Sequence, residues 1–443
     1  MPKQNNIPTV PLKAFIKHSL EILQNPLPFH LQNFEKLGDI FRLKIGLTNS
    51  VFFSRNAALA EYVLQKNQKN YKKSKIQTQD LAKYVGTGLL TAEGEHWRTQ
   101  RRLIQPAFHK KQLNKLTESI NNAISEEYSK ITPYTVVNVF PVFNDLAFQT
   151  VVKSLFSSAV DQNSINRLQY ITEAAQRMMV KELRQPYLGW WFTASGKIKK
   201  HIDLTIEARQ ILKTIVNERK SSGKRADDLL DMLLDAKYDD GSAMQEAQLL
   251  DEILILFTAG HETTANALTF TCQLLAQHPE WQDKIFDEVT SNKNQGDDLM
   301  TTLSASKLCK AVIEESMRLY PPAYFIDRVN IEADTFDGMH FEPDSNLLFS
   351  VYEIHRHPEL WEQPNAFLPQ RFLDGSQKFS SQYFPFGAGP RKCIGNNFAM
   401  FEMIVAINQL VSKFKIYPHF KTIGITPLIT LKPKNANLRF EER

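Results

Sequence analysis

The chain is poor in features that mark several large protein classes, and each absence removes a function. Its three cysteines, Cys272, Cys309 and Cys393, are far apart and odd in number among 443 residues, which argues against a disulfide framework. No stretch reaches the roughly 18 consecutive apolar residues of a spanning helix. The opening MPKQNNIPTVPLKAF has neither an apolar signal core nor a small-residue cleavage site, so no export and no membrane anchor are expected. No block of like charges occurs. The net charge of +5 is spread among mixed neighbours, as on a solvated surface, and no nucleic-acid motif accompanies it. Internal repeats, low-complexity tracts and interdomain linkers are missing as well. With 42% apolar and 23% charged residues, a cytoplasmic, monomeric globular enzyme is the starting expectation.

What is present is mostly helical periodicity. GDIFRLKIGLTNSVFFS (Gly38–Ser54) alternates like a strand pair, and short strand signals recur over about 323–352 and 415–440. Helical patterns fill about 95–320 and 394–414. One of them, from about Ala243 to Gln277, stops before His278-Pro279 and predicts a helix of roughly 50 Å, long enough to cross a domain. The expected fold class is mostly α with small β-sheets (α+β), a single domain over residues 1–443.

The stretch FPFGAGPRKCIG (Phe384–Gly395) sets Cys393 in a glycine-rich loop directly before an apolar helix. Unpaired N–H groups at a helix start favour a thiolate. Gly387, Gly389 and Gly395 allow close backbone approaches, and Arg391 offers a cation suited to a carboxylate. Zinc would need three or four ligands, and no CxxC or HxxxH partner exists. Haem iron needs one strong proximal ligand, and its propionates would use the arginine. Cys272 and Cys309, each alone on a helical pattern, read as small packing residues.

F-G-x-G-x-R-x-C-x-G, from Phe386 to Gly395, resembles the haem-binding signature of the cytochrome P450 family, and further landmarks follow the family's order along nearly the whole chain. AGHETT (Ala259–Thr264) lies on the long helix, where Thr263 can bond back to the Ala259 carbonyl. ESMR (Glu315–Arg318) matches the ExxR motif. Its partner arginine is Arg371 in PQRF, where Gln370 replaces a common glutamate. Trp97 and Arg101 match the W-x-x-x-R helix that meets a haem propionate, and Arg328 matches a position with the same task. Arg98 and Arg102 read as surface residues.

The resemblance implies a haem-thiolate monooxygenase fold whose long central helix crosses the haem. Haem b is held by Cys393, with Trp97, Arg101, Arg328, Arg391 and Phe386 around it. Glu262 and Thr263 relay protons, and Glu315, Arg318 and Arg371 form a structural network. Dioxygen is the co-substrate, and electrons come ultimately from NAD(P)H. No Rossmann, flavin or Fe–S fingerprint is present, so separate ferredoxin and ferredoxin reductase partners are expected. Family alignment places Leu90, Ala259, Ala323, Phe325 and Ile429 at the substrate pocket, mostly apolar and suited to a small apolar molecule. The aromatics Tyr187, Trp190, Trp191 and Phe192 read foremost as helix packing, with stacking on a methylated sugar, hence O-demethylation, as the alternative. Other readings are a haem-thiolate isomerase or peroxide-driven peroxygenase, which would usually lose Glu262-Thr263, and a non-catalytic haem gas sensor.

Overall fold

The computed structural model describes residues 7–45, 49–157, 160–292, 298–375 and 380–443. Residues 46–48, inside the expected strand pair, and most of NKNQGDD (292–298), whose composition reads as a loop, lie outside them. The chain divides into two compact units. The first comprises Met1–Ser74, Glu314–Cys393 and Gly424–Lys434. The second comprises Lys75–Ile313, Ile394–Ile423 and Asn435–Arg443.

In chain order the strands are β1 (Thr9–Val10), β2 (Ile40–Ile45), β3 (Asn49–Ser54), β4 (Tyr71–Lys72), β5 (Val136–Asn138), β6 (Phe325–Asn330), β7 (Asp334–Phe336), β8 (Met339–Phe341), β9 (Asn346–Ser350), β10 (Phe414–Pro418), β11 (Gly424–Pro427), β12 (Leu431–Lys434) and β13 (Asn437–Glu442). The helices that bear on the site are α1 (Gly94–Ile104), α2 (Val139–Phe156), α3 (Gln162–Arg184), α4 (Gly189–Ala194), α5 (Lys197–Ser222), α6 (Glu246–Gln277), α7 (Lys307–Leu319) and α8 (Asn396–Lys413).

The first unit is built on a six-stranded sheet in the order β1-β2-β3-β9-β6-β4. Side chains of a strand alternate between its two faces, and the adjacent Phe52 and Phe53 show the consequence. Phe53 joins Phe29, Phe34, Phe41 and Leu43 in one core, with its ring stacked 5.2 Å from that of Phe41. Phe52 joins Leu59, Val63, Phe341, Leu347 and Phe349 in another, which extends to Phe384 at the start of the cysteine loop. The β3–β9 pair is parallel, from Val51↔Asn346 to Ser54↔Phe349, and so needs a long crossover.

In the second unit α6 is buried along most of its length and lies against α2, with Phe257 ringed by Phe148 at 5.6 Å and Phe156 at 6.0 Å. A Cβ on Gly260 would come within 3.1 Å of Val151, so this glycine lets the two helices approach each other. Along α8 the apolar residues Phe398, Phe401, Ile404, Val405 and Ile407 are buried. Cys272 and Cys309 are both 0% exposed, and burial pushes both thiols up from their ordinary pKa. They are packing residues. A three-stranded sheet, β10-β13-β5, belongs to this unit.

Candidate active site

Three backbone hydrogen bonds close the cysteine loop on itself. Gly387 N–H donates to Phe384 O at 2.9 Å, Cys393 N–H to Phe386 O at 2.8 Å and Lys392 N–H to Gly389 O at 3.1 Å. Gly387 and Gly389 have φ of +72° and +67°, the left-handed region that glycine enters without strain. Gly389 carries a second constraint, because a Cβ there would lie 2.0 Å from the carbonyl oxygen of Leu64. The loop therefore rests directly on the backbone of Tyr62–Lys66. It leaves Cys393 exposed, with Phe386 and Arg391 half-buried beside it.

The segment leading to this loop is tied down from α7. Arg318 and Glu315 are each 0% exposed and meet in a bidentate pair of 2.7 and 2.8 Å. The remaining Arg318 donors reach the carbonyls of His355 and Pro364, both at 2.7 Å, and Ala366 at 3.0 Å. Glu315 also accepts from Leu368 N–H at 2.8 Å and from Arg371 Nε at 3.3 Å. Both guanidiniums lie over Trp361, at 5.0 and 5.7 Å. A buried ion pair holds when its remaining donors and acceptors are satisfied, and here carbonyls and a backbone amide satisfy them. Gln370 takes no part in these bonds.

Two residues that the motifs did not single out finish the attachment. Tyr383 donates to Glu314 O at 2.9 Å, and Phe384 N–H donates to His355 Nε2 at 3.1 Å. Burial, then the Arg318 and Arg356 charges, hold the His355 pKa down at about 3, so its ring is neutral and can accept.

The first unit also brings together three predicted pocket positions. Tyr324 OH donates to Leu428 O at 2.6 Å and Leu431 N–H to Pro322 O at 2.9 Å. These bonds set the β11–β12 turn, with Ile429 39% exposed, beside exposed Ala323. Phe325 is half-buried, edge-on to Tyr324 at 4.8 Å and to His30 at 5.3 Å. Arg328 is buried on β6, and its Nη1 donates to Asp327 O at 2.7 Å.

In the second unit Trp97 is buried on α1, while Arg101 is half-buried with Nε 2.9 Å from Gln105. Arg98 and Arg102 are exposed and paired with Glu95 and Asp239. Halfway along buried α6, Leu256, Ala259 and Thr263 form an open stripe at helical spacing. On it, Thr263 Oγ1 donates to Ala259 O at 2.7 Å. Glu262 is buried, off the stripe.

Leu90 packs with Val85, Met178, Met179, Phe192 and Ile255, one turn along α6 from Ala259. A carboxylate latch fixes the segment ahead of it, and sequence reasoning did not find this latch. Thr87 N–H donates to Asp251 at 2.9 Å and Leu89 N–H to Glu252 at 3.1 Å. Arg209 Nη2 meets Asp251 at 2.8 Å. The only sequence signal was GTG at Gly86–Gly88, where a Cβ would strike Asp251 at 2.1 Å or Glu252 at 2.6 Å. Of the aromatics 187–192 only Phe192 is buried. Tyr187, Trp190 and Trp191 are exposed, which corrects the packing assignment for those three.

The donor set fits a haem. One exposed thiol stands on a rigid loop, and among the described residues no group of three or more His, Cys, Asp or Glu could hold a metal ion. Among those residues, too, no helix is long and apolar enough to cross a membrane.

Comparison with known proteins extends this likeness to the whole chain. The cytochrome P450 family model matches residues 8–440. Pentalenene oxygenase of Streptomyces avermitilis is 25% identical over 97% of this chain and 95% of its own. Cytokinin hydroxylase of Arabidopsis thaliana is 30% identical over 93% and 82%. The crystal structure of the cytochrome P450DA heme domain superposes with a TM-score of 0.88 at 20% identity, covering 100% of this chain and 98% of that one. With the cysteine loop, the buried Glu315–Arg318 pair and the open stripe of α6 in place, the chain belongs to the cytochrome P450 family of haem-thiolate monooxygenases, which draw electrons from redox partners and act on small molecules.

Proposed function

We propose that this enzyme hydroxylates a small, largely apolar molecule, taking electrons from NAD(P)H through a ferredoxin reductase and a ferredoxin, with residues 1–443 acting as one haem domain. The observation that carries the reading is the Thr263–Ala259 bond on the open stripe of α6. A peroxide-driven enzyme or an isomerase has no use for a placed hydroxyl that handles protons.

When bound, haem supplies the activation of dioxygen and the oxidation of a C–H bond. Cys393 would hold it as a thiolate. Trp97, Arg101, Arg328 and Arg391 would donate to its propionates, and Phe386 would pack beside it. The Thr263 hydroxyl gives its hydrogen to Ala259 O, so its oxygen lone pairs accept a hydrogen bond from water in the pocket. Glu262, buried behind the stripe, is the proton reservoir that such water would connect to Thr263. Leu90 and Ala259 of the second unit, and Ala323, Phe325 and Ile429 of the first, are the mostly apolar positions that the family resemblance assigns to substrate contact. An apolar substrate is favoured over a methylated sugar because the aromatics that would stack on a sugar ring, Tyr187, Trp190 and Trp191, face solvent. The named substrates of two relatives, pentalenene and cyclooctat-9-en-7-ol, make terpenoids the first class to screen. Lys392 is exposed next to Cys393 and suits an acidic ferredoxin, so turnover should slow between about 0.1 M and 0.5 M salt.

The test is Thr263→Ala, assayed with reductase, ferredoxin and a ligand chosen by its spectral shift. NADPH consumption should continue while product per NADPH falls and hydrogen peroxide rises. Unchanged product per NADPH would make Thr263 a packing residue and remove the proton relay.

A further inference from the structure

The cysteine loop rests on a turn with an uncommon backbone. The helix that starts at Ala57 widens at Tyr62 and is π-helical over Tyr62–Lys66. Asn67 N–H closes the wide turn by donating to Tyr62 O, five residues back, at 2.7 Å. Such turns are rare and recur at functional sites. This one sets the Leu64 carbonyl against Gly389, leaving no room there for a side chain. Leu64 belongs to the core that includes Phe384, and Ala388 packs against the same core. Gly387 and Gly389 give the loop no side-chain brace of their own, so its rigidity depends on the turn it lies on.

One carboxylate ties that turn to a distant part of the chain. Asp334, half-buried at the start of β7, accepts four hydrogen bonds. Tyr62 OH at 3.1 Å and Thr335 N–H at 2.8 Å donate to Oδ1, while Tyr71 OH at 2.7 Å and Asn67 Nδ2 at 2.9 Å donate to Oδ2. Asn67 Nδ2 also donates to the Tyr62 hydroxyl oxygen at 2.9 Å, and the Tyr62 ring lies 5.0 Å from that of Phe336 on β7. Both ends of the segment from Tyr62 to Tyr71 therefore converge on one side chain, whose acceptor sites number about four. Burial, then the bond to Asp334, push both phenol pKa values up, so both hydroxyls remain donors. All four donors are neutral, which separates this hub from a surface ion pair screened by salt.

We propose that Asp334 is a positioning residue for the haem thiolate: it fixes the π-helical turn under Gly389 and through it the placement of Cys393. The proposal rests on Cys393 as the haem ligand. Groups behind a metal ligand orient it and tune the metal. In this chain the support is mechanical, running from Asp334 through Tyr62 and Asn67 to Leu64, and from the Leu64 carbonyl to the loop. A loosened turn lets the sulfur leave the iron more often, and a thiolate held less firmly stabilises ferric iron less.

The test compares haem-loaded variants by spectrum and potentiometry, without turnover. In Asp334→Ala part of the reduced, carbon monoxide-bound band at about 450 nm should move to the shorter wavelength of iron that has lost its thiolate. The remainder should decay roughly tenfold faster or more on mild warming, the effect of losing hydrogen bonds to a carboxylate. The ferric–ferrous potential should rise, and amide exchange at Lys392 and Cys393, whose N–H groups close the loop, should speed up. Tyr62→Phe removes one donor and should change each readout less, in the same direction. Asp334→Asn, which keeps one acceptor oxygen, should fall between Asp334→Ala and the unaltered enzyme. Tyr84→Phe is the control: it removes a phenol–carboxylate bond to Glu182 in the second unit and should leave band, decay and potential unchanged. Should Asp334→Ala fail to fold, Tyr62→Phe against Tyr84→Phe decides. Band, decay and potential unaltered in Tyr62→Phe and Asp334→Asn overturn the proposal, as do equal changes in Tyr84→Phe. An unaltered enzyme without the band at about 450 nm would remove the Cys393 assignment itself, and this proposal with it.

Discussion

Glu252 occupies the space that a side chain on Gly88 would take: a Cβ there would lie 2.6 Å from the carboxylate, which accepts the neighbouring Leu89 N–H at 3.1 Å. Glu252 is 0% exposed. The clash could be relieved by rotating the carboxylate, at the cost of its hydrogen bonds in a place water does not reach.

Gly88→Ala should therefore cost about 1–3 kcal/mol, the usual cost of a buried polar group that loses a partner. It should also loosen residues 86–91, which carry Leu90. Hydrogen exchange of the Thr87 and Leu89 amides should speed up, and substrate titrations should show weaker binding. Exchange identical to that of the unaltered protein would mean that the latch does not hold the segment.

The two glycines of the cysteine loop should respond differently. Gly387→Ala meets only Ile326, at 3.9 Å, so it carries the left-handed backbone cost of about 1–2 kcal/mol. Gly389→Ala adds a clash with backbone at Leu64, which cannot rotate away. Gly389→Ala should lose much of its thiolate-ligated haem spectrum under conditions where Gly387→Ala keeps it. Equal spectra from both would show that the loop does not bear on Tyr62–Lys66.

Glu315→Gln leaves Arg318 charged at 0% exposure without its counter-ion. The expected loss is about 3–5 kcal/mol, as when one partner of a buried pair is removed, and haem retention should fall with it because the same network anchors the approach to Cys393. Denaturant unfolding with the haem band followed in parallel measures both. A loss under about 1 kcal/mol would place the pair at the level of a surface salt bridge.

Acid should destabilise the fold in a way that His355 makes traceable. Burial holds His30 and His355 at about 3, below the ordinary 6.5. The unfolded chain therefore binds these protons as pH falls through 6.5 and the folded chain does not until about 3, so stability drops across that window. Glu353, pushed up to about 7 by burial, works the other way: its folded form gains a proton first, which offsets one histidine down to about pH 4.5. His355→Gln keeps an acceptor and removes one titrating group. Its stability should fall less steeply between about pH 6 and 4, by about 1.4 kcal/mol per pH unit. Parallel curves for the two proteins would mean that His355 is protonated in the fold.

How much of this was legible beforehand depended on the kind of signal. The long helix was read from Ala243 and begins at Glu246, ending at Gln277 as expected, because an apolar pattern and His278-Pro279 delimit it locally. The helix after Cys393 was equally local. Strands β1 and β4, two residues each, pair with Arg42–Leu43 and with Val329–Asn330. Strands so short have no period, and their partners are distant in sequence. The expected strand region ran to about 352, but the strand stops at Ser350, which caps a short helix over Val351–Ile354. Trp190 and Trp191 were misread because six residues of helix cannot show which side faces the core. The Asp251–Glu252 latch left little trace because its donors are backbone amides, which no side-chain pattern records. Glu315, Arg318 and Arg371 were visible only through the family string; as a bare i, i+3 pair on a helix, the first two resemble many surface pairs.

The central claim is that Cys393 is the thiolate ligand of a haem. The reduced, carbon monoxide-bound enzyme should absorb at about 450 nm, the signature of thiolate ligation, and Cys393→His should lose that band even where haem is retained. A band at about 450 nm that survives in Cys393→His would contradict the account.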